Sequence, residues 1–158
     1  MAALKVTEPM MHEYFTAAFV LIAALIGGVF FAFSVFVMRA LADLPAGEGV
    51  RAMQRINVVV INPWFLGPFF GAMVVGAAAA ALGGGSVVLL ATLVYAIGTV
   101  GVTIAGNVPL NNALAARDAQ DPSTHEYWRT YVRRWLWFNH ARTLAAVVSA
   151  GVAMRAMV

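Results

Sequence analysis

The sequence predicts an all-α fold, a four-helix transmembrane bundle with helical extensions into its cytoplasmic loops. Three observations lead there. The chain of 158 residues is 62% hydrophobic and only 11% charged, where a soluble domain carries roughly 25% charged residues. No Asp, Glu, Lys or Arg occurs from Tyr14 to Met38, or from Ile56 to Ala116. These runs also lack the period-two alternation of membrane strands, so only helices can satisfy their backbones in lipid. One domain, residues 1–158, is expected, and a disordered chain, a coiled coil and a disulfide scaffold are excluded. The absence of cysteine removes thiolate catalysis, Cys-ligated zinc, iron–sulfur clusters and disulfide switching.

The first span, 15–38, ends near Ala40-Leu41-Ala42, which resembles a signal-peptide cleavage site. Its apolar core exceeds the usual h-region of about 7–15 residues, so a retained helix is expected. In the loop that follows, Gly49–Asn57 reads as a helix leading straight into span two, 58–82. The Gly83-Gly84-Gly85-Ser86 tract divides the long charge-free stretch and starts span three, 87–109. Pro122-Ser123-Thr124-His125-Glu126 resembles a capped helix start that extends into span four, 135–154. Each span is about long enough for a 30 Å hydrocarbon core.

The net charge is +3, from ten cations and seven acids. In a soluble protein that balance would raise the question of nucleic acid; here the cations sit beside apolar runs, so they mark topology, and no nucleic-acid partner is expected. One loop side holds Arg39, Arg51, Arg55, Arg117, Arg129, Arg133 and Arg134, and the opposite side only Lys5 and Arg155. The positive-inside rule then makes both loops cytoplasmic and puts both termini outside.

Polar residues inside such a bundle are few and therefore informative. Asn57 and Asn62 open span two. Thr103, Asn107 and Asn111 follow one another at i+4 steps at the end of span three. On span four, Trp128, Trp135, Asn139 and Arg142 share one stripe, with His140 beside them. All belong to the cytoplasmic half. Arg142 lies roughly 10 Å inside span four from Trp135 with no carboxylate at its depth, so it either snorkels or donates to amides, backbone carbonyls or a ligand.

Each of these residues also has a structural reading. Asparagines cap and bridge helices, and Pro63, Pro68 and Pro109 each free a carbonyl that an amide can satisfy. His140 alone fits an interfacial histidine, and Trp64 and Trp128 fit an aromatic belt at the membrane surface. The cluster as a whole is read as a pocket for an oxygen bearing negative charge.

Chemistry is narrowed by what the chain lacks. His12 falls on the opposite side, and His125 is about 22 Å along the helix from His140, so a multidentate metal centre is poorly supported. The carboxylates of a di-iron bundle are missing, as are a phosphate loop and a Ser/His/Asp arrangement. No cofactor is expected, although an axial haem ligand at His140 stays open. The polar residues do not extend across the bilayer, which argues against transport. An apolar cavity facing the cytoplasmic leaflet suits a flat hydrophobic molecule with one or two oxygens.

The ordered motifs Gly28-Val29-Phe30-Phe31-Ala32-Phe33-Ser34, Met53-Gln54-Arg55-Ile56-Asn57 with Asn62-Pro63, Thr103 with Asn107-Val108-Pro109-Leu110-Asn111, and Trp128 to Trp135 with Asn139 and Arg142 resemble the anthrone oxygenase-like integral membrane family. The resemblance covers nearly the whole chain. It implies oxidation of an anthrone to an anthraquinone by dioxygen, in which the protein removes a proton, stabilises the enolate and excludes water. In that scheme His140 is the base, Arg142 and Asn139 stabilise the enolate, and Asn57, Asn62, Asn107 and Asn111 orient the substrate. Ser34, Thr103 and Trp135 line the cavity.

Two other readings stay open. One is a non-catalytic membrane protein binding a quinone or lipid, or serving as a subunit of a larger assembly. The other is a haem-binding membrane protein. Expected partners are membrane lipid and a hydrophobic aromatic or quinone-like molecule. Small residues at Gly71–Ala81 and Gly98–Gly106 also permit a homo-oligomer.

Overall fold

Helix is the only regular structure in the computed structural model, which describes residues 10–157. Lys5, one of the two cations expected on the side of the termini, lies outside the described residues. Among these residues four long helices form a bundle: α1 is Met11–Asp43, α3 covers 63–84, α4 covers 85–115, and α5 is Pro122–Met154. A shorter helix, α2, Ala46–Val59, lies between α1 and α3.

Two helical runs, Met11–Asp43 and Pro63–Ala115, are long and apolar enough to cross a membrane. The second contains two arms, because Gly83 (φ 129°) and Gly85 (φ 65°) take left-handed conformations that side chains with a Cβ avoid, and the chain reverses there. Tyr95 Oη on α4 donates to the Phe69 carbonyl on α3 at 3.1 Å. Thr92 lies against Gly76. Later residues of α4 therefore meet earlier residues of α3, as an antiparallel hairpin requires. The same pattern relates α1 to α5, where Phe30 meets Asn139 and Gly27 meets Ala146. It also relates α4 to α5, where Thr99 meets Arg142 and Asn107 meets Trp135. The start of α1 and the α3–α4 turn share one end, with His12 beside Gly83; α2 and the α4–α5 loop occupy the other.

The expectation that α2 runs straight into the next span is corrected. Val60 to Asn62 interrupt it, and Asn62 is extended (φ −143°, ψ 159°). Pro63 disfavours the helical region for the residue before it. Asn62 then caps α3, its Oδ1 accepting from Phe65 N at 3.1 Å while its Nδ2 donates to the Val59 carbonyl at 2.8 Å. By contrast α5 is continuous from Pro122, as the loop sequence predicts. Asp121 caps it by accepting from Ser123 N at 2.8 Å.

Two hydrophobic clusters fill the bundle. Toward the Gly83 turn, Phe19, Ala23, Ile26, Phe30, Phe69, Ala72 and Tyr95 pack together. Toward the loops, Met38, Val50, Met53, Leu114, Trp128, Tyr131 and Trp135 do so, with α2 closing that end. Trp128 is therefore not in a surface belt. It is 3% exposed and stacks on Tyr131 at 5.4 Å, because α2 lies over it, Gly49 facing the Trp128 ring. Trp64 is 91% exposed. The outer faces of the bundle carry large apolar side chains such as Leu21, Val74, Ile97 and Leu144, all exposed.

Candidate functional site

Apart from the Ala80–Gly84 turn, the bundle departs from regular helix where the polar residues sit. α1 has a π turn at Phe33–Val37. α4 has two, Ala96–Gly101 and Thr103–Asn107. A π turn widens the helix by one residue and shifts its hydrogen-bond ladder. The Phe30 carbonyl, just before the α1 turn, accepts a bond from Asn139 Nδ2 at 2.7 Å across the helix interface.

Asn139 is fully buried, and both ends of its amide are engaged. Nδ2 also donates to Ser34 Oγ at 2.7 Å, and Oδ1 accepts from Arg142 Nε at 2.9 Å. Arg142 is buried as well. Its Nη1 donates to Thr103 Oγ1 at 3.3 Å, and its guanidinium lies 3.9 Å from the Phe30 ring centre and 4.9 Å from that of Trp135. Ring faces attract a cation electrostatically. The partners of this charge are thus an amide, a hydroxyl and two aromatic faces, so it donates inward instead of snorkelling.

One turn nearer the loops lies a second polar layer. Asn111 Oδ1 accepts from Tyr131 Oη at 2.9 Å and from Trp135 Nε1 at 3.0 Å. Burial pushes the Tyr131 phenol well above its usual range, which keeps it a donor. Asn57 adjoins Tyr131. Asn107 Nδ2 donates to the Trp135 carbonyl at 3.2 Å. Asn107 Oδ1 and Asn57 Nδ2 are buried without a partner among the described residues.

His140 faces the other way. It is exposed on the outside of α5, and its Nδ1 lies 2.9 Å from Ser34 Oγ. Both border a groove of about 320 Å³ between α1 and α5, lined also by Phe31, Val35, Thr143, Leu144 and Val147. Ser34 is the junction between layers, touching Asn139 within the bundle, His140 in the groove, and Thr143 Oγ1 at 3.4 Å.

The expected residues thus separate into three groups. His140 and Ser34 reach the groove. Asn139, Arg142 and Thr103 stand behind Ser34, and Asn57, Asn107, Asn111 and Trp135 form the second layer. Asn62 joins none of them, because both ends of its amide serve the α3 cap. Neither Asn139 nor Arg142 lines the groove; both stand within the bundle, behind Ser34. A further cavity of about 560 Å³ at the loop end is lined by Leu44, Pro122, His125, Glu126, Trp128 and Arg129 among others, apart from the polar cluster. Among the described residues, no three His or carboxylate side chains gather as a metal site. Thr99 and Thr143 escaped the sequence reading, although Thr143 follows Asn139 at i+4, the spacing that places both on one face.

Residues 60–152, more than half of the chain, match the anthrone oxygenase family. The chain belongs to that family. The matched segment holds α3, α4 and most of α5, and with them Thr103, Asn107, Asn139, His140 and Arg142; Ser34 and the rest of α1 lie before it. No curated protein and no solved structure matches the chain.

Proposed function

We propose that this member of the anthrone oxygenase family is an integral membrane oxygenase. It takes a flat phenolic or anthrone-like substrate into the α1–α5 groove and oxidises it with dioxygen. The observation that carries this reading is the His140–Ser34 pair on an apolar groove: His140 Nδ1 is anchored at 2.9 Å, and Nε2 has no protein partner among the described residues. A neutral imidazole with a free ring nitrogen can act as a general base. Here it does so beside an otherwise greasy surface.

The reaction balances without a further reactant. The substrate methylene gives a proton to His140 and becomes an enolate. That enolate passes one electron to dioxygen, and the two radicals combine into a peroxide at the same carbon. Return of the proton and loss of water leave a ketone, so CH2 and O2 become C=O and H2O. Arg142 acts from behind, fixing the Asn139 amide that orients Ser34. The unpartnered Asn107 and Asn57 atoms remain available to a polar group that enters the bundle.

Membrane residence is supported by the two runs long enough to cross and by the apolar outer faces, since contiguous exposed apolar surface of this extent is rare on soluble monomers. In the orientation we infer, α4 and α5 complete four crossings, the arginine-bearing loops face the cytoplasm, and both termini lie outside. Dioxygen uptake by the purified protein in lipid nanodiscs, with several anthrones, tests the activity. Uptake well above the spontaneous rate is expected. No excess with any of them would favour the non-catalytic reading, a groove that binds quinone or lipid.

A further inference from the structure

The hydrogen bonds that converge on Ser34 bear on which ring nitrogen of His140 carries a proton. Ser34 has one hydroxyl proton and two acceptor sites. One acceptor site is taken by Asn139 Nδ2 at 2.7 Å. That donor cannot turn away, because Arg142 Nε holds the opposite end of the same amide at 2.9 Å. Two partners remain for Ser34, His140 Nδ1 at 2.9 Å and Thr143 Oγ1 at 3.4 Å. Thr143 gives its own proton to the Asn139 carbonyl at 2.7 Å, so toward Ser34 it can only accept. If the Ser34 proton goes to Thr143, the imidazole fills the second acceptor site by donating from Nδ1, and every one of these contacts is used.

We infer that Thr143, acting through Ser34, is a positioning residue that holds neutral His140 as its Nδ1–H tautomer, with the Nε2 lone pair facing the groove. The competing arrangement sends the Ser34 proton to Nδ1. It would leave Thr143 Oγ1 without its donor and place a hydrogen on Nε2, turning the groove-facing nitrogen from a base into a donor. The Nδ1–H arrangement satisfies all four groups, Asn139, Ser34, Thr143 and His140. It also needs no rearrangement when Nε2 gains a proton, since Nδ1 is a donor before and after. This use of the tautomer in proton abstraction rests on the oxygenase reading; the tautomer itself does not. Besides Thr143, the other side chains lining the groove, Phe31, Val35, Leu144 and Val147, are apolar, and the nearest charge of this network, Arg142, reaches the imidazole only through Asn139 and Ser34.

The test is 15N NMR of the protein in nanodiscs at alkaline pH, where directly protonated and lone-pair ring nitrogens are well separated. His140→Asn identifies its signals among the three histidines. Wild type is expected to show a protonated Nδ1 and a bare Nε2. Thr143→Val, which keeps the shape and removes the acceptor, should move the proton to Nε2; Thr143→Ala should do the same, and Thr143→Ser should restore wild type. A wild-type Nε2–H tautomer, or an Nδ1–H tautomer that persists in both the Val and the Ala variants, would overturn the inference. Dioxygen uptake read in parallel separates the two claims. A tautomer shift without turnover in any variant leaves Thr143 in place and removes the oxygenase, whereas turnover without the shift does the reverse.

Discussion

The two halves of the bundle differ in where most of their polar side chains bond. Toward the Gly83 turn the Ser and Thr hydroxyls bond within their own helices: Thr16 donates to His12, Thr92 to Val88 and Ser149 to Ala146, each to a backbone carbonyl three or four residues earlier, and Tyr95, whose Oη reaches the Phe69 carbonyl on α3, is the exception. Toward the loops the amides, the guanidinium and the aromatic N–H and O–H groups bond across helices, Asn139 to α1, Arg142 and Asn107 between α4 and α5, and Tyr131 and Trp135 to Asn111, while the Thr103 and Thr143 hydroxyls still donate to their own helices. The first group satisfies itself and leaves its neighbours free. The second ties the helices to one another and coincides with the π turns of α1 and α4. A hydroxyl that could be removed without consequence to another helix serves local structure, whereas an amide on which two helices depend sets the geometry of a site.

Substitutions should separate the halves. Asn139→Ala removes one acceptor and two donor bonds at once and leaves the Phe30 carbonyl and Arg142 Nε bare. Each buried group left unpaired costs about 1–3 kcal/mol, so a loss of about 3 kcal/mol or more is expected in thermal unfolding in detergent, together with loss of dioxygen uptake. A loss below about 1 kcal/mol would show that the cross-helix bonds are not holding the bundle. Arg142→Met should be milder in stability, because no carboxylate is left unpaired when the charge goes, and replacing a buried charge by a well-packed apolar chain is often neutral. Turnover should nevertheless fall, since the Asn139 amide loses the donor that fixes its Oδ1 and is then held from its Nδ2 side alone. A variant with full activity would remove Arg142 from the account. Thr92→Val, in the turn half, keeps shape and loses a bond to its own backbone. A change within about 0.5 kcal/mol, the range of changes away from special features, is expected, with uptake unchanged.

The smallest effect is electrostatic. The Ser123 hydroxyl and backbone N–H hold the exposed Asp121 carboxyl below its usual range. A carboxylate whose value is lowered on folding contributes stability above its unfolded range and loses it as pH falls through the folded value. The start of α5 should therefore fray under acid conditions before the bundle opens, seen as faster hydrogen exchange at Ser123 and Thr124. Asp121→Asn should remove most of that pH dependence.

The sequence made the helices and the converging stripe legible because both follow from spacing. Trp128, Trp135, Asn139 and Arg142 fall on one face whatever the fold, and the absence of charge fixed where the long helices had to be. What escaped it depends on contacts between distant segments. Ser34 is over a hundred positions from His140 in the chain, so nothing local announced their pairing, nor that Asn139 would stand between Arg142 and the groove. Trp128 read as a belt residue because the cover supplied by α2 is a tertiary fact. Asn62 looked like the other asparagines until the break before Pro63 showed what it caps, although the Asn-Pro pair itself carried that signal.

We propose that the outward pair, His140 with Ser34, starts the oxidation by taking the substrate's proton, after which dioxygen attacks the enolate. This is tested most directly by incubating wild type and His140→Ala with an anthrone under 18O2 and measuring label in the product by mass spectrometry. One 18O atom is expected in the new carbonyl, formed above the spontaneous rate by wild type and at the spontaneous rate by the variant. Equal labelled product from both proteins, each folded in nanodiscs, would contradict it.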